Sequence, residues 1–597
     1  MYIFNLLIYY NLPFFTSFFK FYDIILMKEG MYMNKKITIG IGLIWLIVCF
    51  LFFYFTLPAI NFQNPGFYFF LLMVLSYPVT LVTLIIKLNN FKNHKNPKPY
   101  KKLEYEKQTG KFVWVTKPSN ARYKPSNIIV STLLVLAITI IGFTFLMGIF
   151  GSVIFNAKTY ASQLEIKNGS DESFKKVFDY NEGDVLLPVI DKDLAFKLAQ
   201  AKLGDYGAQY SIDYDNFTIL SVERNGKTEL LRVTPLEYSN FFVSISRMNK
   251  GTIGYIEVNL TTKETKLVTF EDGLKYMPSA KLSKDLDRHI RFNYPNEMYI
   301  NKFFEIDNDG NPYWVIPTFK KEIALLNGST AKGVILVDPI TGDTNYYDIG
   351  KEPKWVQRVI DDTIVERQAN NALYYKNGWF NAELGQKKEV FQLSDGYNYF
   401  IKNGETYYVS CITSPNEADQ TSIGFLAINL KTRVATRYNI GGITEMRARE
   451  IAENDERVKA QALTATWPIL IDYHDIPTYF LVLKNDVQDQ RIVLMNASDG
   501  TIVSMEENLK DTQIVYEQLL SNKGVSVTED KKISGVVTKI RDLGNTIEFM
   551  IDTIPDKYFV VDVDLGVDAR FLSIGDHIDI TYQEYQTYNF VKKLTTK

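Results

Sequence analysis

The chain has 597 residues, with 66 basic against 68 acidic side chains and a formal net charge of −2. Near-neutrality excludes a global attraction to nucleic acid, and two cysteines in this length exclude a disulfide-stapled scaffold. At roughly 150 residues per domain there is room for several modules, held by cores that Tyr, Phe, Ile, Leu and Val must supply.

Residues 1–32 are apolar but broken by Pro13, Lys20 and Asp23, too interrupted for a clean membrane span. Lys28-Glu29-Gly30 is the peptide that a purine-rich ribosome-binding site would encode, just ahead of Met31 and Met33. The segment is therefore expected to be an upstream extension, with translation starting at Met31 or Met33. Its rival is a genuine interfacial or inserted helix.

From Met33 the pattern is regular. Lys35 and Lys36 precede the apolar run Ile37–Leu57, Pro58 ends it, and Phe67–Ile86 forms a second run, so 33–86 is expected as a transmembrane hairpin. Residues 87–126 carry eleven Lys and Arg against Glu104 and Glu106, and short basic loops stay cytoplasmic. The bland role of this loop is to fix topology; lipid or partner binding is its rival. Asn127–Phe155 contains no charged residue and is expected as a third transmembrane helix. The N-terminus and the 87–126 loop then lie inside, and everything after 155 lies outside. Cysteine is avoided there, Cys411 standing alone, a usage common in Gram-positive exported proteins.

Residues 156–185 are polar and turn-rich and are expected as a stalk. In DKDLAFKLAQAKLG, Asp191 is placed to cap a helix, Leu194, Ala195, Leu198 and Ala201 form its face, and Gly204 ends it. Strand-like runs follow: FTILSVE, ELLRVTP, FFVSISR, GYIEVNL and TKLVTF. A hairpin wording then recurs at Gly254–Phe270, Gly333–Ile349, Gly424–Ile440 and Arg491–Met505, each first strand ending at Asn259, Asp338, Asn429 or Asn496. Asn and Asp at such a point hydrogen-bond the turning backbone. Aromatic runs precede the copies: NFFVSIS, PYWVIPT, TYYVSCI and TYFLVLK. Candidate helices fall between them, LSKDLDRHIRF and TEMRAREIAENDERVKAQAL, the latter with Thr444 as N-cap and Ala448, Ile451, Ala452, Val458 and Ala462 on one face. A period of about 80 residues signals an array of like units.

Pro312–Val315 with Val334–Asp343, and Thr478–Leu481 with Ile492–Thr501, resemble the PepSY family of exported domains, a helix followed by an antiparallel hairpin. The resemblance implies binding or inhibitory modules over 186–275, 276–352, 353–442 and 443–510. The first copy lacks the Thr-Gly turn and the third reads LKTRVAT, both departures from the pattern. Residues 530–597 alternate apolar and polar through successive strands, with a Gly575-Asp576 turn before the last pair. That order resembles a small OB-like barrel; with no basic strip, a structural role is expected rather than nucleic-acid binding.

Chemistry is sparse. His94, His289, His474 and His577 are scattered, and none lies in HExxH. Ser173-Phe-Lys-Lys176 has the SxxK spacing without its companion motifs. Asp307-Asn-Asp-Gly-Asn311 lacks the acidic residue that a calcium loop needs and reads as a hairpin turn. Asp213 and Asp215 alternate on an expected strand edge, and Cys411 reads as a buried thiol. No catalytic, cofactor-binding or metal-binding residue is assigned, and no cofactor is expected. The fold class expected is multi-domain: N-terminal transmembrane helices, an α+β ectodomain of helix/β-hairpin modules, and a C-terminal small β-barrel. The function expected is non-catalytic binding or scaffolding at a Gram-positive cell envelope, with the membrane and an envelope protein, peptide or cell-wall partner. A sensor acting through a partner, and an unrecognised wall hydrolase with carboxylates of perturbed pKa, are the rivals.

Overall fold

A computed structural model describes residues 35–93, 100–106, 111–117, 125–180, 186–386, 388–416, 420–485, 490–523, 530–544, 546–584 and 588–597. The expected extension 1–32 lies outside the described residues. The chain divides into two units, meeting at Phe145 and Leu146.

The first unit contains helices α1 (Lys35–Thr56) and α2 (Pro65–Asn93) and most of α3 (Pro125–Phe150). All three are long and apolar enough to cross a membrane, and most of their spanning residues are not buried by protein, as suits helices solvated by lipid. Trp45 stacks on Tyr77 at 5.6 Å between ring centroids, and Tyr68 meets Phe143 at 5.6 Å. The basic loop contains a feature its charge pattern did not announce: strands Tyr100–Glu106 and Lys111–Lys117 pair as an antiparallel hairpin.

In the second unit four sheets follow one another, three of five strands and the third of six, and each contains five consecutive strands with one connectivity. Each has a long strand: Lys227–Tyr238, Pro312–Ile323, Glu405–Thr413 and Ile476–Lys484. Two shorter preceding strands pair end to end along one edge of it, and a two-strand meander continues from the other edge. The hairpins of that meander turn at the four residues singled out by sequence. Oδ1 of Asn259, Asp338, Asn429 and Asn496 each accepts two backbone N–H bonds from the second and third residues onward, at 2.7–3.1 Å.

Alternation explains how the sheets assemble. In the second sheet Trp314, Ile316, Ile335 and Val337 share a core with the first sheet, while Val315, Val334 and Leu336 share another with the third. In the third, Tyr408, Ile412, Leu426 and Ile428 face the second sheet, while Val409, Cys411, Phe425 and Ala427 join the core of the fourth. Successive side chains point to opposite faces, so the two inner sheets are buried on both sides.

Several local expectations are corrected. FFVSISR is not a strand: Phe241–Ser246 is a short helix capped by Asn240, whose side chain accepts from Val243 N, and the strand before that hairpin is Lys227–Tyr238. Asp191 does cap Lys192–Leu203, accepting from Leu194 N, and Ala195 is buried with Leu194 and Leu198 packed against the same core, but the face runs on through Ala199 and Leu203, and Ala201 is exposed. TEMRAREIAENDERVKAQAL breaks in two, Glu445–Asn454 and Glu456–Ala460, because Asp455 leaves helical geometry to cap the second helix; Ala462 lies beyond it at positive φ. Residues 156–185 do not form a free stalk where described. Ile166–Asn168 adds a parallel strand to the third sheet, and helix Asp171–Phe178 buries Phe174 and Phe178 against Phe400 and Tyr438. Two aromatic residues one helical turn apart in DESFKKVF were the signal for this docking.

Beyond helix Leu509–Asn522 the chain closes a five-stranded barrel, with Val567–Arg570 as a short helix before the fourth strand. In order along the chain its strands pair 1-2-3-5-4, and the third and fifth run parallel.

Candidate functional site

All four sheets contribute to one cleft of about 670 Å³ in the second unit, within the range typical of ligand sites. Its walls are built by short segments with well-defined supports. Arg232 comes from the long strand of the first sheet, Phe303 from the second, Tyr399 from the third and Lys484 from the fourth, with Tyr397 and Trp467 just ahead of strands of the third and fourth.

Arg358 sits where these parts converge. The segment Val356–Asp361 has little secondary structure of its own, and its polar groups are satisfied from three sheets. Glu305 of the second sheet accepts from the backbone N–H groups of Gln357 and Arg358, at 3.0 and 3.2 Å. The Gln357 side chain bonds both backbone groups of Ser221 in the first sheet. Ile360 N donates to Leu430 O of the third at 3.1 Å. Val356, Val359 and Ile360 are buried, which anchors the loop and fixes the direction of Arg358.

The Arg358 guanidinium lies over the rings of Tyr399 and Phe303, at 4.4 and 4.8 Å from their centroids, and 3.8 Å from Asp362 Oδ2. The same Asp362 oxygen accepts from the Tyr399 hydroxyl. Arg358 is 5% exposed, yet its Nε has no hydrogen-bond partner among the described residues. Arg232 is half-buried. Its Nη1 donates to Phe217 O at 2.9 Å, and among the described residues its Nε has no partner and no carboxylate lies within ion-pair distance of it. Burial, reinforced by the charge of Arg358, pushes its pKa down to about 10.

Elsewhere on the rim Lys484 and Arg449 are paired. Lys484 bonds both Asp191 and Asp193, tying the fourth sheet to the helix that precedes the first. Although burial opposes it, hydrogen bonds from Lys484 and Tyr214 hold the Asp193 carboxyl below its usual range. Arg449 stacks on Trp467 at 4.4 Å and reaches Glu453 at 3.7 Å. Lys192 lies 4.1 Å from the Tyr214 ring centroid, and burial lowers its pKa. The cleft thus combines aromatic walls with three guanidinium groups, of which Arg232 lacks a carboxylate partner among the described residues, a combination suited to holding a ligand.

The residues considered in the sequence are dispersed. Asp215 reaches the cleft, but it and Asp213 sit in a turn, not on a strand: Asp213 Oδ1 accepts from Asp215 N at 2.9 Å. His289 Nε2 pairs with Gly342 O at 2.7 Å, His474 stands 3.9 Å from Glu517, and His577 begins a barrel strand; His94 lies outside the described residues. Ser173 and Lys176 lie on helix Asp171–Phe178. Asp307–Asn311 is a hairpin turn, with Asp307 Oδ1 accepting from Asp309 N and Asn311 N. Cys411 is buried, its Sγ 3.0 Å from the Tyr479 hydroxyl, and its backbone N–H donates to Glu445. Among the described residues no group of three or more His, Cys, Asp or Glu side chains is placed to hold a metal ion.

Arg232 and Arg358 were not singled out by sequence, although a signal existed. Each is a single arginine within an apolar run, ELLRV and WVQRVI, where a charge has to find a partner or a purpose.

No protein-family model matches the chain, and no curated protein matches it. Among solved structures, one from a study of two prolyl endopeptidases is matched at 9% identity and a TM-score of 0.13, over 76% of this chain and 64% of that one. The chain therefore spans less than two thirds of that structure's length, and so poor a superposition assigns neither fold nor activity.

Proposed function

We propose that this is a membrane-anchored, non-catalytic binding protein of a Gram-positive cell envelope, with the N-terminus and the 87–126 loop cytoplasmic and the second unit outside. In this reading residues 186–275, 276–352, 353–442 and 443–510 are PepSY-like modules that jointly build a binding cleft. Residues 530–597 are an OB-like barrel with a structural role. The observation that carries the reading is the cleft, lined by all four sheets. The shared connectivity of the sheets supports the modular part, and the 1-2-3-5-4 strand order with a parallel third and fifth pair supports the OB-like part. Hydrolysis is disfavoured because a general acid needs a raised carboxyl pKa, whereas the shifted carboxyl on the rim, Asp193, is lowered.

The test is a pair of measurements on the purified full chain. Fractions of cell-envelope extract raise its thermal midpoint, while peptidoglycan, peptide and ester substrates are not turned over. Turnover by the wild-type protein that a cleft substitution abolishes overturns the reading.

A sensor is a second reading with its own support. Helix Asp362–Tyr374, whose first residue Asp362 lines the cleft, packs along helix Val153–Ala161, which follows α3 closely in the chain. Ligand-dependent reactivity of a single cysteine introduced at Lys111, in the 87–126 loop, favours the sensor, and unchanged reactivity favours a passive binder.

A further inference from the structure

Two of the three arginines lining the cleft, Arg232 and Arg358, pose an energetic problem. Guanidinium groups are costly to bury without a charge partner. Arg358 is satisfied in part, by Asp362 and two aromatic faces, but its Nε is left over. Arg232 has one carbonyl bond and a leftover Nε, and the positive charge of Arg358 acts on it. Two like charges lining one cavity, that of Arg232 without a carboxylate partner among the described residues, complement an oxyanion, because guanidinium forks match phosphate and carboxylate oxygens. Trp467 and Tyr397 line the same walls, and both are held in place: Arg449 stacks on Trp467, which a side chain at Gly396 would meet, and Tyr408 stacks on Tyr397.

We propose that the cleft binds an oxyanion-bearing ligand, a phosphate or carboxylate carried on a sugar-sized ring, with the oxyanion between Arg232 and Arg358 and the ring against Trp467. This deepens the binding reading above and rests on it. Phosphate and carboxylate share the recognition chemistry; they are separated by the probes.

The experiment is calorimetric titration of the purified full chain in detergent with glucose 6-phosphate, glucuronate and neutral glucose. At least one of the two anions binds, glucose does not, and affinity falls as salt rises. Arg232→Gln weakens the binding anion at least tenfold, and Arg232→Lys weakens it less. Arg232 carries the test because Arg358 also packs between Phe303 and Tyr399, so its loss threatens folding. An unchanged circular dichroism spectrum and thermal midpoint for Arg232→Gln show that the loss is one of binding. The proposal is overturned if neither anion binds, if glucose binds equally well, or if Arg232→Gln binds as the wild type does. If both anions fail while envelope extract still stabilises the protein without turnover, the anion assignment falls and the binding reading stands. Turnover abolished by a cleft substitution removes the binding reading itself.

Discussion

The Tyr473 hydroxyl donates to Glu517 Oε1 at 2.6 Å, joining the fourth sheet to helix Leu509–Asn522 through a buried carboxyl. The other oxygen, Oε2, accepts from Tyr588 of the barrel, so one side chain links three parts of the second unit. Burial pushes the Glu517 pKa from its ordinary 4.5 up to about 7, against the pull of those two hydroxyls.

The sign of the pH dependence follows. Between about pH 4.5 and 7 folded Glu517 keeps a proton that the unfolded chain has lost, so its stabilising contribution is complete below about 4.5 and fades as pH rises to about 7. A shift of that size corresponds to on the order of 3 kcal/mol. Glu237 and Glu305, pushed up to about 7 and about 6, act in the same direction. His289 and His474, whose pKa values burial lowers, oppose it below 6.5. Comparing Glu517→Gln with wild type cancels these backgrounds. Chemical denaturation from pH 4.5 to 8 is expected to show a shallower fall for the variant; identical slopes refute the assignment.

A second prediction concerns the shared core of the first two sheets. Val337 is 0% exposed and lies among Trp314, Ile316 and Ile335, in the cluster that also holds Leu231 and Val233 of the first sheet. A carboxylate there has no counter-charge, at a cost of several kcal/mol. Val337→Asp is expected to melt both sheets together. Limited proteolysis checks this: new cuts confined to 276–352 would mean that the sheets unfold independently.

This shared core marks the boundary of what the sequence disclosed. The hairpins, their Asn and Asp turns, the caps Asp191 and Thr444 and the five-stranded barrel were legible because each depends on residues close in sequence or on strict alternation. Period-two alternation in GVILVDP identified two faces but did not say that both are buried, since Val334 and Leu336 need the third sheet and Ile335 and Val337 the first. Phe241–Ser246 misled because aromatic and β-branched residues favour strands only weakly, and the cap at Asn240 prevailed. The cleft was illegible for the same reason as the cores. Arg232 and Arg358 are separated by more than a hundred residues and meet only when the sheets assemble.

The turn residues make a third test. Asn429 and Asn496 each satisfy two backbone N–H groups. Replacing either with Ala removes the one oxygen that accepts both bonds, at about 1–3 kcal/mol, whereas Asp keeps the oxygen. Thermal midpoints are expected to rank Asn above or level with Asp, and both well above Ala. Equal midpoints for Asn and Ala would show that the turns are set by the strands alone.

The last prediction addresses orientation. Cysteines introduced singly at Lys111 and Asp309 are expected to respond oppositely to a membrane-impermeant maleimide in intact protoplasts. Lys111 begins a strand in the basic loop, and Asp309 is an exposed tip residue in the hairpin turn after Phe303–Ile306. The native cysteines give little background. Cys49 is buried within α1, and Cys411 is buried beside the Tyr479 hydroxyl, with burial and Glu445 pushing its thiol pKa well up; the thiolate is the reactive form. Asp309→Cys should label at once, and Lys111→Cys only after permeabilisation. Labelling of both in intact cells, or the reverse pattern, removes the arrangement in which three spans deliver the cleft outside, and with it the extracytoplasmic binding function.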